Sequence, residues 1–359
     1  MLTKKQIIEI REHLEKAQNP VFFFDNDNDG LCSYLLIRKF LGRGKGVAVK
    51  SYPDMNAEYF RKVNELNADY IFILDKPVVS PDFFEEAEKF NIPVVWIDHH
   101  DAQKNIPSYV NYYNPLFNKT KGSEQVQASS STNRRRKNEP VTYLCYKIAN
   151  KKEDLWLAVI GCISDRFVPD FYKDFVKLYP DLSVKSKEAF DIFYKSGIGN
   201  LAKIFSFALK DTTSNVIKMI KFLILAKSPY EVLEEGNKNK EMHARFKFIY
   251  RKYEKLIEKA KSIASENKIL FFQYGGDMSI NADLSNELTY LYPKKIIVII
   301  RVVGIKASIS VRGKKIRDLF LKSIEGLENA KGGGHENAVG GSIRVEDVEK
   351  FRENMEKLV

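Results

Sequence analysis

Short apolar runs alternate with helix-spaced stretches through the first hundred residues, and the runs stop at aspartate. Pro20-Val21-Phe22-Phe23-Phe24 ends at Asp25, Tyr70-Ile71-Phe72-Ile73-Leu74 at Asp75, and Pro93-Val94-Val95-Trp96-Ile97 at Asp98. Runs of this length, rich in β-branched and aromatic residues, read as buried strands. Val47-Ala48-Val49 reads as a shorter one. Helical spacing covers 4–17, 31–41, 56–66 and 80–90. Strand and helix in alternation predict an α/β fold with a parallel sheet and right-handed crossovers. Such a sheet places its ligand at the carboxyl ends of its strands.

Those ends carry metal-competent side chains. One is Asp25-Asn26-Asp27-Asn28-Asp29-Gly30; another is Asp98-His99-His100, which holds two of the five histidines. A fourth apolar stretch, 154–164, leads into Asp165 and counts as a fourth strand end. Each residue alone has a routine explanation, as a turn aspartate, a cap or a core histidine. Several carboxylates converging without a cation would repel strongly. A bound metal removes that conflict, and Asp with His but no thiolate suits Mn²⁺ or Mg²⁺ ahead of Zn²⁺. A calcium EF-hand does not fit. That loop needs a bidentate Glu at position twelve. Counted from Asp25 this position is Leu36, and a strand stands where a helix should precede.

The chain has 359 residues, 44% of them hydrophobic, enough for two folded domains. Its net charge is +11 although acidic clusters sit inside it, so the positive charge lies elsewhere and favours a polyanionic partner. Cys32, Cys145 and Cys162 form no CxxC pair and read as small core residues. Met1 to Lys5 lead straight into an amphipathic helix rather than a signal peptide, and no apolar run approaches the roughly 20 residues of a membrane span. A cytoplasmic protein is expected, with no membrane partner.

Three regions are expected: 1–190 with the strand-end cluster, 191–265 as a helical connector, and 266–359 as a smaller second α/β domain. Residues 118–139, Ser-rich and holding Arg134-Arg135-Arg136-Lys137, read as a polar basic loop. A long Lys/Glu-rich helix covers 237–262. Strands at 268–274, 296–301 and 306–311 and helices at 282–291 and 346–358 build the second domain. Gly332-Gly333-Gly334-His335 lies near its end. Glycines there would let backbone N–H groups approach a phosphate, though the run alone reads equally as a turn.

Asp27-x-Asp29, Asp75, Asp98-His99-His100 and Asp165, in this order, resemble the DHH phosphoesterase superfamily. Gly332 to His335 with Gly340, and Arg312 after Ser308-Ile309-Ser310, resemble its DHHA1 domain. The resemblance covers nearly the whole chain. The triple-Asp motif is nearer RecJ than the small oligoribonucleases, which carry a His near the position of Phe23. The order also resembles the archaeal RecJ-like nucleases, including the replication-associated and Hef-associated groups.

The resemblance implies a two-metal phosphodiesterase, with Mn²⁺ preferred and Mg²⁺ usable. Asp75 would bridge the ions. Asp27, with Asp25 as a further candidate, would complete one site, and Asp29, His99 and Asp165 the other. His100 would meet the phosphate and Asp98 would orient a histidine. Arg312, Gly332, Gly333, Gly334 and His335 would hold the substrate. The implied function is a single-strand exonuclease on DNA or RNA that releases nucleoside 5′-monophosphates, with a 3′→5′ direction in several relatives. A phosphodiesterase of very short oligoribonucleotides, pAp or cyclic dinucleotides, and a non-catalytic scaffold, are the alternatives. Implied partners are single-stranded nucleic acid, a Hef-like helicase or a GINS-type replication complex, and further copies of the chain.

Overall fold

The computed structural model describes residues 1–50, 55–120 and 139–359. The chain divides into two compact units, Met1–Ala244 and Arg245–Val359. Residues 121–138, most of the expected basic loop, lie outside the described residues.

The first unit opens with α1 (Lys4–Lys16), β1 (Pro20–Asp25), α2 (Asn28–Leu41) and β2 (Lys45–Val49). It continues through α3 (Phe60–Glu65), β3 (Tyr70–Leu74), α4 (Pro81–Lys89), β4 (Val94–Ile97), β5 (Asn111–Tyr113) and α5 (Leu116–Thr120). Then come α6 (Val141–Ala149), α7 (Leu155–Ser164), α8 (Tyr172–Leu178), α9 (Ala189–Lys195), α10 (Gly197–Ala208), α11 (Thr213–Leu225) and α12 (Pro229–Leu233). The five strands form one parallel sheet in the order β2-β1-β3-β4-β5. Every residue of β1, β3 and β4 is buried, because the sheet is covered on both faces. On one face Phe23, Ile73 and Trp96 pack with Phe83 and Phe84 of α4. On the other, Phe24 stacks on Tyr34 of α2 and Phe22 on Phe72. Cys32, Cys145 and Cys162 are free and buried, as core residues should be.

Residues 154–164 depart from the sequence expectation. The run is α7, a helix packed against α2, α6 and α10, so Asp165 caps a helix rather than ending a strand. Its periodicity is hidden because every side is covered: Leu155 through Ile163 are all buried. Length decides such cases, and ten residues with Ala158 and Gly161 suit a helix.

The expected connector is helical. Its earlier part packs into the first unit, α9 and α10 against α7 and α11 against α2. Helix α13 (Lys240–Ser262) then runs across the boundary at Arg245.

The second unit adds β6 (Ile269–Gly275), α14 (Asn281–Leu291), β7 (Ile296–Val303), β8 (Lys306–Arg312), α15 (Ile316–Ile324), β9 (Lys331–His335), β10 (Ala338–Arg344) and α16 (Val348–Leu358). Its sheet is mixed, in the order β6-β7-β8-β10-β9, with only β6 and β7 parallel. Val298, Ile309, Phe320 and Phe351 centre its core. The Gly332–His335 run is part of edge strand β9 rather than a turn, paired residue by residue with β10. Its glycines carry no side-chain pattern from which a strand could be read.

Candidate metal centre

Strand β1 delivers Asp25 and breaks immediately into α2. Asp27 is the helix N-cap, its Oδ1 accepting from the Gly30 N–H at 2.9 Å. Gly30 has no alternative, since a Cβ there would lie 2.3 Å from the Asp25 carbonyl oxygen. Asp29 sits in the first turn of α2, buried. Its carboxylate accepts from the N–H groups of Val141 at 2.9 Å and Thr142 at 2.7 Å, so it also caps α6. Asp75 follows β3 in a left-handed backbone conformation, φ 61°. A non-glycine residue held there stores about 1–3 kcal/mol, a strain that concentrates at functional sites.

These elements bring carboxylates around His99. His99 Nε2 lies 3.4 Å from Asp75 Oδ1 and 3.8 Å from Asp29 Oδ2, and Nδ1 lies 3.9 Å from Asp165 Oδ2. Two groups of donors are within reach of a common ion each: Asp75, His99 and His100, and Asp29, His99 and Asp165. His99 belongs to both. Asp98 is fully buried and accepts from His100 Nδ1 at 2.8 Å, the His100 N–H at 3.1 Å and the Tyr112 hydroxyl at 3.2 Å. The histidine it orients is therefore His100.

Asp25 and Asp27 stand outside both groups. Lys76, 1% exposed, donates to Asp25 Oδ1 at 2.9 Å and to the Lys50 carbonyl at 3.0 Å. The sequence reading overlooked Lys76. A lysine directly after a buried strand and its terminal aspartate was the available signal. It must be paired once that strand is buried on both faces.

The electrostatics favour a cation. Burial raises the Asp75 carboxyl well above the usual range, with Asp29, Asp27, Asp25 and Asp98 adding to it. Asp27, although at the exposed mouth, is pushed up to about 7, first by lost hydration and then by Asp25 and Asp29. Asp165 rises to about 6 for lack of hydration in its recess, although its side chain is 39% exposed and His99 pulls the other way. Burial lowers His100, but the Asp98 hydrogen bond and the facing carboxylates outweigh it and leave the imidazole raised. Asp75 Oδ1 is buried with no hydrogen-bond donor. A carboxylate oxygen without a donor, beside imidazole nitrogens and further carboxylates, fits a divalent metal ion.

Two family models match this chain. Residues 21–149 match the DHH family, N-terminal domain, and residues 266–359 match the DHHA1 domain; together they span more than half of the sequence. The chain belongs to the DHH/DHHA1 family. The candidate donor cluster lies in and just beyond the DHH match, because Asp165 at the end of α7 falls past residue 149. No curated protein matches the sequence. Solved structures share the fold. RecJ of Thermus thermophilus, determined in complex with Mn²⁺, aligns with 98% of this chain at 15% identity and a TM-score of 0.68. This chain spans 54% of that RecJ's length. An exonuclease RecJ bound to manganese aligns over 98% of this chain and 93% of its own at 15% identity, TM-score 0.64. CDC45 from Entamoeba histolytica aligns over 99% and 98% at 10% identity, TM-score 0.52.

The DHHA1 domain places its predicted residues at one end of its sheet. In register across three neighbouring strands stand Arg312 on β8, Ala338 on β10 and His335 on β9. Arg312 is 9% exposed, its Nε donating to Asn286 Oδ1 at 2.8 Å and Nη1 to Ser310 Oγ at 3.0 Å. Asn286 is a second residue that spacing did not reveal. Gly332, Gly333, Gly334 and His335 are exposed along the sheet edge. Among the described residues, no helix is long and apolar enough to cross a membrane.

Proposed function

We propose that this DHH/DHHA1 phosphodiesterase is a metal-dependent exonuclease that shortens single-stranded DNA or RNA to nucleoside 5′-monophosphates. The observation that carries the reading is His99 standing between two acidic donor groups, one with Asp75 and His100 and one with Asp29 and Asp165. Those residues would hold two divalent cations, with Mn²⁺ ahead of Mg²⁺ because imidazole joins carboxylate in the donor set. Bound there, the ions supply an activated water and neutralise charge on the phosphate. Asp29 stays fixed because two backbone N–H groups grip it. Asp98 accepts from His100 Nδ1 and so holds that ring in one orientation beside Asp75. Lys76 offsets the charge of Asp25 and keeps that carboxylate apart from the donor groups. In the DHHA1 domain, Arg312 and His335 on one end of the sheet, with the bare backbone of Gly332 to Gly334, would hold phosphates of the strand.

The test uses Mn²⁺ and single strands of 3 and 30 nucleotides, labelled at each end in turn. Both lengths are expected to be degraded, and excess EDTA to stop the reaction. The order in which the two labels are released gives the direction. Loss of the 3-mer alone would replace the polymer with very short oligonucleotides as substrate. Survival of both strands would leave a scaffold.

A further inference from the structure

A groove of about 560 Å³ lies within the second unit, between one face of α13 and the turn that follows β6. Arg245, Lys252 and Lys259 line it at seven-residue spacing, with Lys255 beside them. At 1.5 Å per residue this stripe is about 21 Å long. The helix carries further cations outside the groove, Lys247, Arg251 and Lys261, but its carboxylates in this stretch do not line it. Glu254 and Glu258 are absent from the groove, and Glu258 pairs instead with Lys261 at 2.9 Å. Asp277 is the one carboxylate among the lining residues.

The stripe also carries an aromatic ring. Phe248 is 48% exposed in the middle of the cations, with Lys252 Nζ 4.4 Å and Arg245 Cζ 5.6 Å from its centroid. A phenylalanine left this open on a helix is not part of the core. The opposite wall is formed by Tyr274, Gly275, Gly276, Asp277 and Met278, and at Gly276, φ 122°, a Cβ would meet nothing within 4 Å. Cations tracking a groove with an exposed ring among them are the features that take a phosphate chain with unstacked bases. A solvated charged helix face would not need the ring.

We propose that this groove binds the phosphodiester backbone of single-stranded nucleic acid, with a base laid on Phe248. It is a contact additional to the residues Arg312 and Gly332 to His335, on the opposite side of the sheet order, next to edge strand β6 rather than β9. The inference rests on the nuclease reading for its ligand class.

Binding of a fluorescein-labelled single-stranded 20-mer to the full chain, followed by anisotropy in EDTA, tests it. The comparison is with Lys252→Ala/Lys255→Ala/Lys259→Ala and with Phe248→Ala, all at exposed helix positions where alanine keeps the helix. The triple variant should bind at least about tenfold more weakly, and its slope of log affinity against log salt should fall by about 2. Phe248→Ala should lose about tenfold with the slope unchanged. Mn²⁺-dependent hydrolysis of a 3-mer should stay within about twofold for both variants, because neither touches the donor groups. Unchanged 20-mer affinity in both variants overturns the proposal, and so does a wild-type preference for duplex over single strand. Absence of 3-mer and 30-mer hydrolysis by the wild type would sink the nuclease reading, while the binding comparison still decides the groove.

Discussion

The two units handle charge in opposite ways. The first gathers Asp29, Asp75 and Asp98 in its interior, each at most 4% exposed, beside His99 and His100, with Asp25 paired to Lys76. The second sets its cations on open surface, along α13, and presents glycine backbone along β9. Buried negative charge in fixed positions suits an ion and its chemistry. Dispersed positive charge beside bare backbone suits a long anion whose sequence does not matter. The contrast implies that catalysis and grip are separable by mutation.

The largest expected effect comes from removing a donor. Asp75→Asn should reduce turnover by more than about a thousandfold, while 20-mer affinity in EDTA stays within about twofold. His335→Ala should do the converse, raising KM with metal content by elemental analysis unchanged. If Asp75→Asn weakened binding, or His335→Ala shed metal, the division between the units would break. Next in size is Lys76→Met. It removes the buried ammonium that donates to Asp25, and denaturant unfolding should register a loss of about 3–5 kcal/mol. A loss under about 1 kcal/mol would mean that Asp25 reaches water.

The smallest effect concerns pH. Asp75, Asp27 and Asp165 have folded-state pKa values above that of an unfolded aspartate. For Asp27 the penalty to the metal-free fold is absent below the unfolded value of about 4 and complete above about 7. A cation relieves it only where the carboxylates are ionised. The gain in Tm on adding Mn²⁺ over EDTA should therefore grow between about pH 5 and about pH 7.5. A gain independent of pH would mean that the ion binds away from the raised carboxylates.

The sequence carried the parallel sheet well, because β1, β3 and β4 are unbroken apolar runs bounded by helical spacing. It also directed attention to strand ends, where Asp25, Asp75, Asp98 and His99 indeed sit. Asp165 was singled out for the wrong local reason, since a helix buried on all sides has no amphipathic period to read. Lys76 and Asn286 escaped because their roles come from partners far along the chain, Asp25 and Arg312. Strands β9 and β10 hide behind glycine, whose lack of a side chain erases the alternation that marks a strand.

The grip of Asp29 on Val141 and Thr142 has a consequence for how this protein can vary. Those two residues open α6, the first helix after residues 121–138. The start of α6 is therefore clasped to Asp29, one of the candidate metal donors. A substitution that unfolds the first turn of α6 would displace a donor carboxylate some 112 residues earlier in the chain.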